Sequence, residues 1–413
     1  MRHTEPDQRV TFRAVLANRE FRALYLAQTL SVTGDQLARI AVGVMIFDRT
    51  GSSALTGVSY AISYLPWLIG GPTLSVLADR HSRRSVMIAC DAIRTALVVS
   101  LTLGVMTTPV VLCSVCLVAL AEPPFASARA ALIPDVVGEG RSFAAASTLG
   151  NATSQLAVVV GFAGGGAITE AFGVDFTLAI DAATFALSGA VSSIVVTHRP
   201  PARGSHRSWR EDMREGAAVV FGTRSLRWLV TTSWLVVGAA IMTEAAAVPY
   251  AKDHGGGALA AGFLTAALPF GMTLGALALG RLTNDALEPI LPALALLSPA
   301  ALSLTALGPS PVGAGIIWLV AGILSAMTVA ANRIFVSTVG SEVRGRAFGI
   351  ASAGISTAQG LGSLMVGLLC RPLGPSGAIG ALSLATFAGV ATLTAGGRSA
   401  ETVSAYAASG TCN

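Results

Sequence analysis

Long apolar runs of about 20 residues, separated by short polar gaps, recur along the whole chain. As a helix, a run of that length crosses roughly 30 Å of hydrocarbon, so each run is a candidate membrane span. The pattern predicts twelve spans, over residues 22–47, 53–77, 85–106, 109–131, 143–169, 174–196, 227–249, 257–281, 289–308, 311–332, 347–370 and 375–396. Stretches such as SLTLGVM and GIIWLVAGILSAM are apolar on every face. A barrel strand would alternate apolar and polar residues, so the spans are read as helices and a closed barrel is excluded.

Composition strengthens this picture. Of 413 residues, 53% are hydrophobic and only 12% charged, which is too apolar for an ordinary soluble domain. The 45 glycines suit helices that approach closely in lipid, where packing takes over the role of hydrophobicity in holding helices together. The first 20 residues carry charges throughout and show no cleavable signal pattern.

Basic residues gather in alternate gaps. Arg2, Arg9, Arg13, Arg19 and Arg22 precede span 1; Arg80, Arg83 and Arg84 follow span 2; Arg129 and Arg141 flank the gap after span 4. The central gap, the gaps after spans 8 and 10, and the tail continue on the same side, against only Arg49, Lys252 and Arg371 on the other. The positive-inside rule predicts a multi-pass inner-membrane protein with both termini cytoplasmic. The excess of basic residues thus reflects topology. No basic face is interleaved with aromatics, so no nucleic-acid partner is expected. Cys113-x-x-Cys116 lies within an apolar span and is read as packing rather than a redox or metal motif.

One long polar connection divides the chain into residues 1–196, a central loop 197–226, and residues 227–413, with six spans on each side. Within the loop, Trp209, Met213, Ala217 and Val220 fall at helical spacing. This predicts an amphipathic helix, lying either on the inner membrane surface or as a solvated linker. The halves repeat: Arg129 to Arg333, Phe143 to Phe348 and Gln155 to Gln359 are offset by 204, 205 and 204 residues. The predicted fold class is an all-α integral membrane protein, with twelve transmembrane helices in two pseudo-symmetric six-helix halves. A binding site between such halves suits a rocking, alternating-access carrier.

Ionisable residues inside the spans need a reason, because each costs about 2.5–3.5 kcal/mol at mid-membrane on insertion scales. Asp35 and Arg39 are four apart, and Asp91 and Arg94 three apart, so each pair shares a helix face and could neutralise itself. Glu122, Asp181 and Glu244 have no partner in their own span. Asp35 and Glu122 lie about 20 Å of helix from their respective membrane faces and are deep. Asp91, Arg94 and Asp181 are read mainly as structural, with a transport role as the alternative. Asp35 is read either as a proton carrier or as half of a fixed ion pair with Arg39, and Glu122, beside Pro123 and Pro124, as a second acidic station. His3, His81, His198, His206 and His254 all fall outside the spans, so any proton coupling must use carboxylates.

The charged turn VLADRHSRRSV between spans 2 and 3 resembles a signature of the major facilitator superfamily, Gly-x-x-x-Asp-Arg-x-Gly-Arg-Arg/Lys. It is matched by Ser75, Asp79, Arg80, Ser82, Arg83 and Arg84, with serine at both glycine positions. FRALYLAQTLSVTGDQLARIAVGVMIFDRTGS, ARAALIPDVV and EDMREG are similar to the drug:proton antiporter branch that includes macrolide-efflux pumps and siderophore exporters. GFAGGG resembles that branch's span-5 motif Gly-Pro-x-x-Gly-Gly through Gly161, Gly165 and Gly166, with Phe162 at the proline position. Span 4 lacks the basic residue of another drug-exporter motif.

The resemblance implies that spans 1, 4, 7 and 10 line a central cavity, which would place Asp35, Glu122 and Glu244 toward it, with Arg39 and Gln28 nearby. It also implies that Asp79 faces the amino-terminal end of span 11 near Arg346, with Arg80, Arg83 and Arg84 holding the loop as a conformational latch; positive-inside placement alone is the alternative for the basic residues. Gln28, Gln155 and Gln359 are otherwise read as packing between spans.

The expected function is secondary transport: export of a small hydrophobic or amphipathic compound, such as an antibiotic or secondary metabolite, in exchange for protons. An acidic, otherwise apolar cavity suits an amphipathic or cationic organic molecule better than a sugar. A siderophore or metabolite exporter of the same fold and a proton-coupled importer are the alternatives. No phosphate-binding loop, metal-ligand cluster or nucleophile elbow is present, so no enzyme, no catalytic residues, no metal and no cofactor are expected. The proton gradient would supply the energy. The expected partners are the small-molecule substrate, protons and the lipid bilayer, with the chain acting as a monomer.

Overall fold

The computed structural model describes residues 12–104, 106–138, 140–199, 209–340 and 342–409, with side chains for all of these except 65, 68–80, 209, 210, 212 and 396–409. Helices account for nearly all of it, and no strand occurs among the described residues.

The chain passes through twelve spans. Span 1 is Arg19–Thr50, span 2 Ser53–Arg80, span 3 Arg83–Leu101, span 4 Thr108–Val137, span 5 Arg141–Phe172 and span 6 Val174–Val195. Span 7 is Arg224–Asp253, span 8 Ala258–Leu279, span 9 Leu291–Leu307 and span 10 Pro311–Thr338. Arg344–Ala395 holds spans 11 and 12, which separate at Gly374, where φ of 69° takes the backbone out of the helix. The helices mostly overrun the predicted apolar runs by about a turn, because helical hydrogen bonding continues into the polar ends.

Local signals set the helix ends. The Asn18 side chain caps span 1, accepting from the Glu20 and Phe21 amides at 2.9 and 3.2 Å. Gly51, at φ of 60°, closes the same helix in the left-handed region, its N–H donating to the Phe47 carbonyl at 2.7 Å. Ser82 caps span 3. Span 4 is interrupted at Ala121, whose N–H turns to the Val118 carbonyl at 3.2 Å. The cause is local: Pro123 and Pro124 have no N–H to offer the carbonyls one turn earlier.

The first turns of spans 1 and 11 and the end of span 6 lie at one face of the bundle, called the near face below, where Thr197 meets Glu20 and Gly216 meets Arg346; the turns between spans 1 and 2 and between spans 7 and 8, where Asp48 meets Lys252, lie at the far face. Residues 12–196 and 224–395 contact each other chiefly through span 2 against span 11 and span 5 against span 8. Glycine permits both approaches. A Cβ on Gly57 would come within 2.8 Å of the Gly367 Cα, and one on Gly166 within 2.7 Å of the Gly262 Cα.

The predicted amphipathic helix is present as Trp209–Gly222. Its apolar face meets protein, which differs from both readings made for it. Met213, Ala217 and Val220 pack with Leu226, Val230, Phe335, Val339 and Ala347 at the near ends of spans 7, 10 and 11. An ion pair between Glu215 and Arg346 adds to the docking.

Candidate functional site

A cavity of about 90 Å3 lies among spans 1, 2, 3, 4 and 6 and gathers ionisable residues from four of them: Asp35, Arg39, Arg94, Glu122 and Asp181. Tyr60 and Ser63 of span 2 add hydroxyl groups, and Val42, Val98, Val115 and Leu178 supply apolar wall. Most of these groups are at least half-buried, so their partners decide what they can do.

Arg39 holds the most connected position. Its Nη1 donates to the Tyr64 hydroxyl at 2.8 Å, and its Cζ stands 5.3 Å from the Tyr64 ring centroid. The same nitrogen lies 3.9 Å from Glu244 Oε2 on span 7, which joins the first six spans to the last six through a half-buried ion pair. Glu122 Oε2 accepts from the Trp67 indole N–H at 3.3 Å.

Neither same-helix pair envisaged from the sequence closes. Among the described residues Asp35 forms no ion pair with Arg39, and Asp91 none with Arg94. Arg39 reaches instead to Tyr64 and Glu244. Arg94 lies between two rings, its Cζ 5.2 Å from the centroids of Phe125 and of Phe185. The long, planar guanidinium finds aromatic faces and a distant carboxylate at better geometry than a partner on its own helix.

The structure brings Asp35, Arg39, Glu122 and Glu244 together and leaves Gln28 apart. Gln28 lines a separate pocket of about 20 Å3 with Tyr25, Arg129 and Ser154, nearer the near face. The span-5 glycines serve helix contact. A Cβ on Gly161 would come within 2.7 Å of the Thr33 carbonyl oxygen, and one on Gly165 within 2.9 Å of the Leu37 Cα, while Gly166 meets span 8. In the charged turn, Arg83 bonds the Ala131 carbonyl at 2.9 Å and pairs with Asp135, while Arg84 donates to the Ser193 carbonyl. Both arginines therefore bind spans 3, 4 and 6 together at the near face. The side chains of Ser75, Asp79 and Arg80 lie outside the described residues.

Sequence reasoning missed Tyr60, Tyr64 and Trp67. A signal existed: they fall at i, i+4 and i+7 on span 2, and two of only five tyrosines in the chain share that face. It also read Arg94 and Asp181 as mainly structural; both line the cavity with Asp35.

Polar and charged groups converging on a cavity inside a twelve-helix bundle define a membrane transporter of small molecules, not an enzyme. Residues 24–325 match the family model of the Major Facilitator Superfamily, and the chain belongs to that family. Among curated proteins it is similar to Enterobactin exporter EntS of Shigella boydii serotype 4, 27% identical over 367 residues, 86% of each chain. It is also similar to Macrolide efflux protein A of Streptococcus pyogenes, 28% identical over 74 residues; there the match spans only 18% of either chain. Among solved structures, nucleoside transporter NupG has a TM-score of 0.68 at 15% identity, covering 91% of this chain and 97% of its own. An inward-facing, unoccupied bacterial homolog of the human lysosomal transporter Spinster scores 0.69 at 16% identity, covering 91% and 95%. At those identities the likeness concerns the fold.

Proposed function

We propose that this carrier exports a small hydrophobic or amphipathic compound across the inner membrane in exchange for protons, by alternating access, with both termini in the cytoplasm. The observation that carries this reading is the contact of Arg39 with Glu244. A half-buried cation on span 1 bridges to a carboxylate on span 7, beside a cavity that also holds Asp35 and Glu122. Rocking of the halves must break or remake that pair. A half-broken buried pair is costly unless the freed carboxylate takes a proton or a cationic substrate takes the place of arginine. Proton binding and movement of the halves are thereby linked. Asp35, unpaired by Arg39, is the carboxylate assigned to proton carriage, with Glu122 as the second station. Asp79, Arg80, Arg83 and Arg84 are assigned to the near-face latch. The carrier works as a monomer within the bilayer, without a cofactor, on the proton gradient.

The likeness to EntS over 86% of each chain favours a second reading of the cargo, as a siderophore or related metabolite, over the short match to the macrolide pump. One assay tests both. Protein in proteoliposomes with an entrapped pH dye is challenged with erythromycin, enterobactin and ethidium, and inside-out vesicles give the direction. At least one compound is expected to drive proton flux in the wild type and not in Asp35→Asn. Flux that Asp35→Asn leaves unchanged removes the mechanism, and uptake in place of export removes the direction.

A further inference from the structure

Asp91, Arg94 and Asp181 are among the most deeply buried ionisable groups in the chain, with exposures of 1%, 2% and 1%. Glycines on the neighbouring helices make the room. A Cβ on Gly34 of span 1 would lie 2.6 Å from Asp181 Oδ1, and one on Gly189 of span 6 would lie 3.3 Å from the Asp91 Cβ. Among the described residues, Asp181 Oδ1, both carboxylate oxygens of Asp91 and the Nε of Arg94 have no hydrogen-bond partner. Charges kept only to hold a fold together are paired and hydrogen-bonded when buried this deeply. Here the cation rests against two aromatic rings while the Asp91 carboxylate and Asp181 Oδ1 lack a hydrogen-bond partner, and Arg94 and Asp181 line the cavity that holds Asp35.

We propose that Asp181 is a proton-binding site of the carrier and that Arg94 is the cation that displaces its proton. The groups facing Asp181 across the cavity are Asp35 and Arg39 on span 1, Tyr60 on span 2, Arg94 on span 3 and Glu122 on span 4, with Asp91 one turn from Arg94. When the O–H bond of protonated Asp181 breaks, the proton passes to the Asp35 carboxylate or to cavity water. The Arg94 guanidinium then pairs with the carboxylate left behind. Reprotonation returns Arg94 to Phe125 and Phe185. Atoms and charge balance with the proton as the sole reactant. The site extends the proton-exchange reading above by a station on span 6, a helix that the superfamily resemblance does not place at the cavity.

Infrared difference spectroscopy of protein reconstituted in lipid, stepped from low to high pH in H2O and D2O, reads a protonated carboxyl group directly and needs no transported compound. The expected result is a buried carboxylic-acid band that vanishes at high pH, is absent from Asp181→Asn, is kept in Asp35→Asn, and survives to higher pH in Arg94→Gln. Should Asp181→Asn fail to reconstitute, Asp181→Glu must move the band. A band unaltered by either Asp181 variant overturns the proposal. A band that depends on Asp181, with no proton flux on erythromycin, enterobactin or ethidium, would retain this site and count against the export reading. Compound-driven flux with a band indifferent to Asp181 would do the opposite.

Discussion

Gly166 of span 5 and Gly262 of span 8 meet backbone to backbone, so that a Cβ on Gly262 would lie 2.6 Å from the Gly166 Cα. Gly57 and Gly367 repeat the arrangement between spans 2 and 11. All four lie within about two turns of the far face, so the first and last six spans are in close backbone contact there. A side chain at either crossing cannot be absorbed by rotamer change, because the opposing atoms are backbone. Gly262→Val should cost about 1–3 kcal/mol, relieved only by parting the halves at that end. In a Val42→Cys background, which places a thiol in the cavity wall, the variant should react faster with a membrane-impermeant maleimide added from the far side. Equal labelling rates would show that the crossing does not hold that side shut.

A second set of far-face contacts is electrostatic. Glu170 of span 5 accepts from the Leu259 amide at 3.3 Å, placing a carboxylate at the positive amino-terminal end of span 8, and Lys252 pairs with Asp48 at 2.8 Å between spans 7 and 1. Lys252 and Asp48 are partly exposed, so their pair contributes at most about 1 kcal/mol and is screened by salt. The helix-terminal contact is worth about 0.3–1 kcal/mol. Glu170→Gln and Lys252→Gln should each raise far-side maleimide labelling of Val42→Cys modestly, by a few fold, and much less than Gly262→Val does. High salt should reproduce the Lys252→Gln effect in wild type and add little in that variant.

At the cavity, Arg39 binds two partners of different kinds, which separates the consequences of removing each. Arg39→Ala leaves the largely buried Glu244 without a cation, a loss of up to about 3 kcal/mol, because the pair is long and 22% and 13% exposed. Glu244→Gln leaves Arg39 on Tyr64, with both the 2.8 Å hydrogen bond and the ring contact intact. Thermal unfolding in detergent should therefore fall markedly in Arg39→Ala and little in Glu244→Gln, whereas compound-driven proton flux should fall in both. If Glu244→Gln proves as unstable as Arg39→Ala, Tyr64 does not hold the arginine.

The number and order of spans were legible in the sequence because lipid forces every backbone polar group into helical hydrogen bonds, and apolar length then counts the crossings. The break at Ala121 was foreshadowed by Pro123 and Pro124. Asp35, Glu122 and Glu244 stood out because a carboxylate in an apolar run is costly wherever the helix points. Partners were another matter. Whether Arg39 would meet Asp35, four residues away, or Glu244, some two hundred residues away, depends on helix rotation and on Tyr64, and neither leaves a trace in spacing along one helix. Gln28 fell outside the cavity for the same reason: depth and rotation, not residue type, select the lining. Asp181 was assigned to structure because spacing within span 6 says nothing of Gly34, the small residue on another helix that admits it.

The helix Trp209–Gly222 offers a test in which steric and electrostatic contributions separate by size. A Cβ on Gly216 would come within 2.5 Å of the Arg346 carbonyl oxygen and 3.2 Å of the Ala347 nitrogen, so this helix lies directly on the first turn of span 11. Its ion pair, Glu215 with Arg346, involves a glutamate that is 47% exposed, where such pairs are worth at most about 1 kcal/mol. Overpacking against backbone costs more, about 1–3 kcal/mol. Gly216→Val should therefore lift the helix off spans 7, 10 and 11, while Glu215→Gln leaves Met213, Ala217 and Val220 in place. Limited trypsin digestion followed at Arg214 reads the difference: cleavage on the order of tenfold faster in Gly216→Val, with a small change in Glu215→Gln. Rapid cleavage in Glu215→Gln and none in Gly216→Val would mean that charge, and not the apolar face, docks this helix.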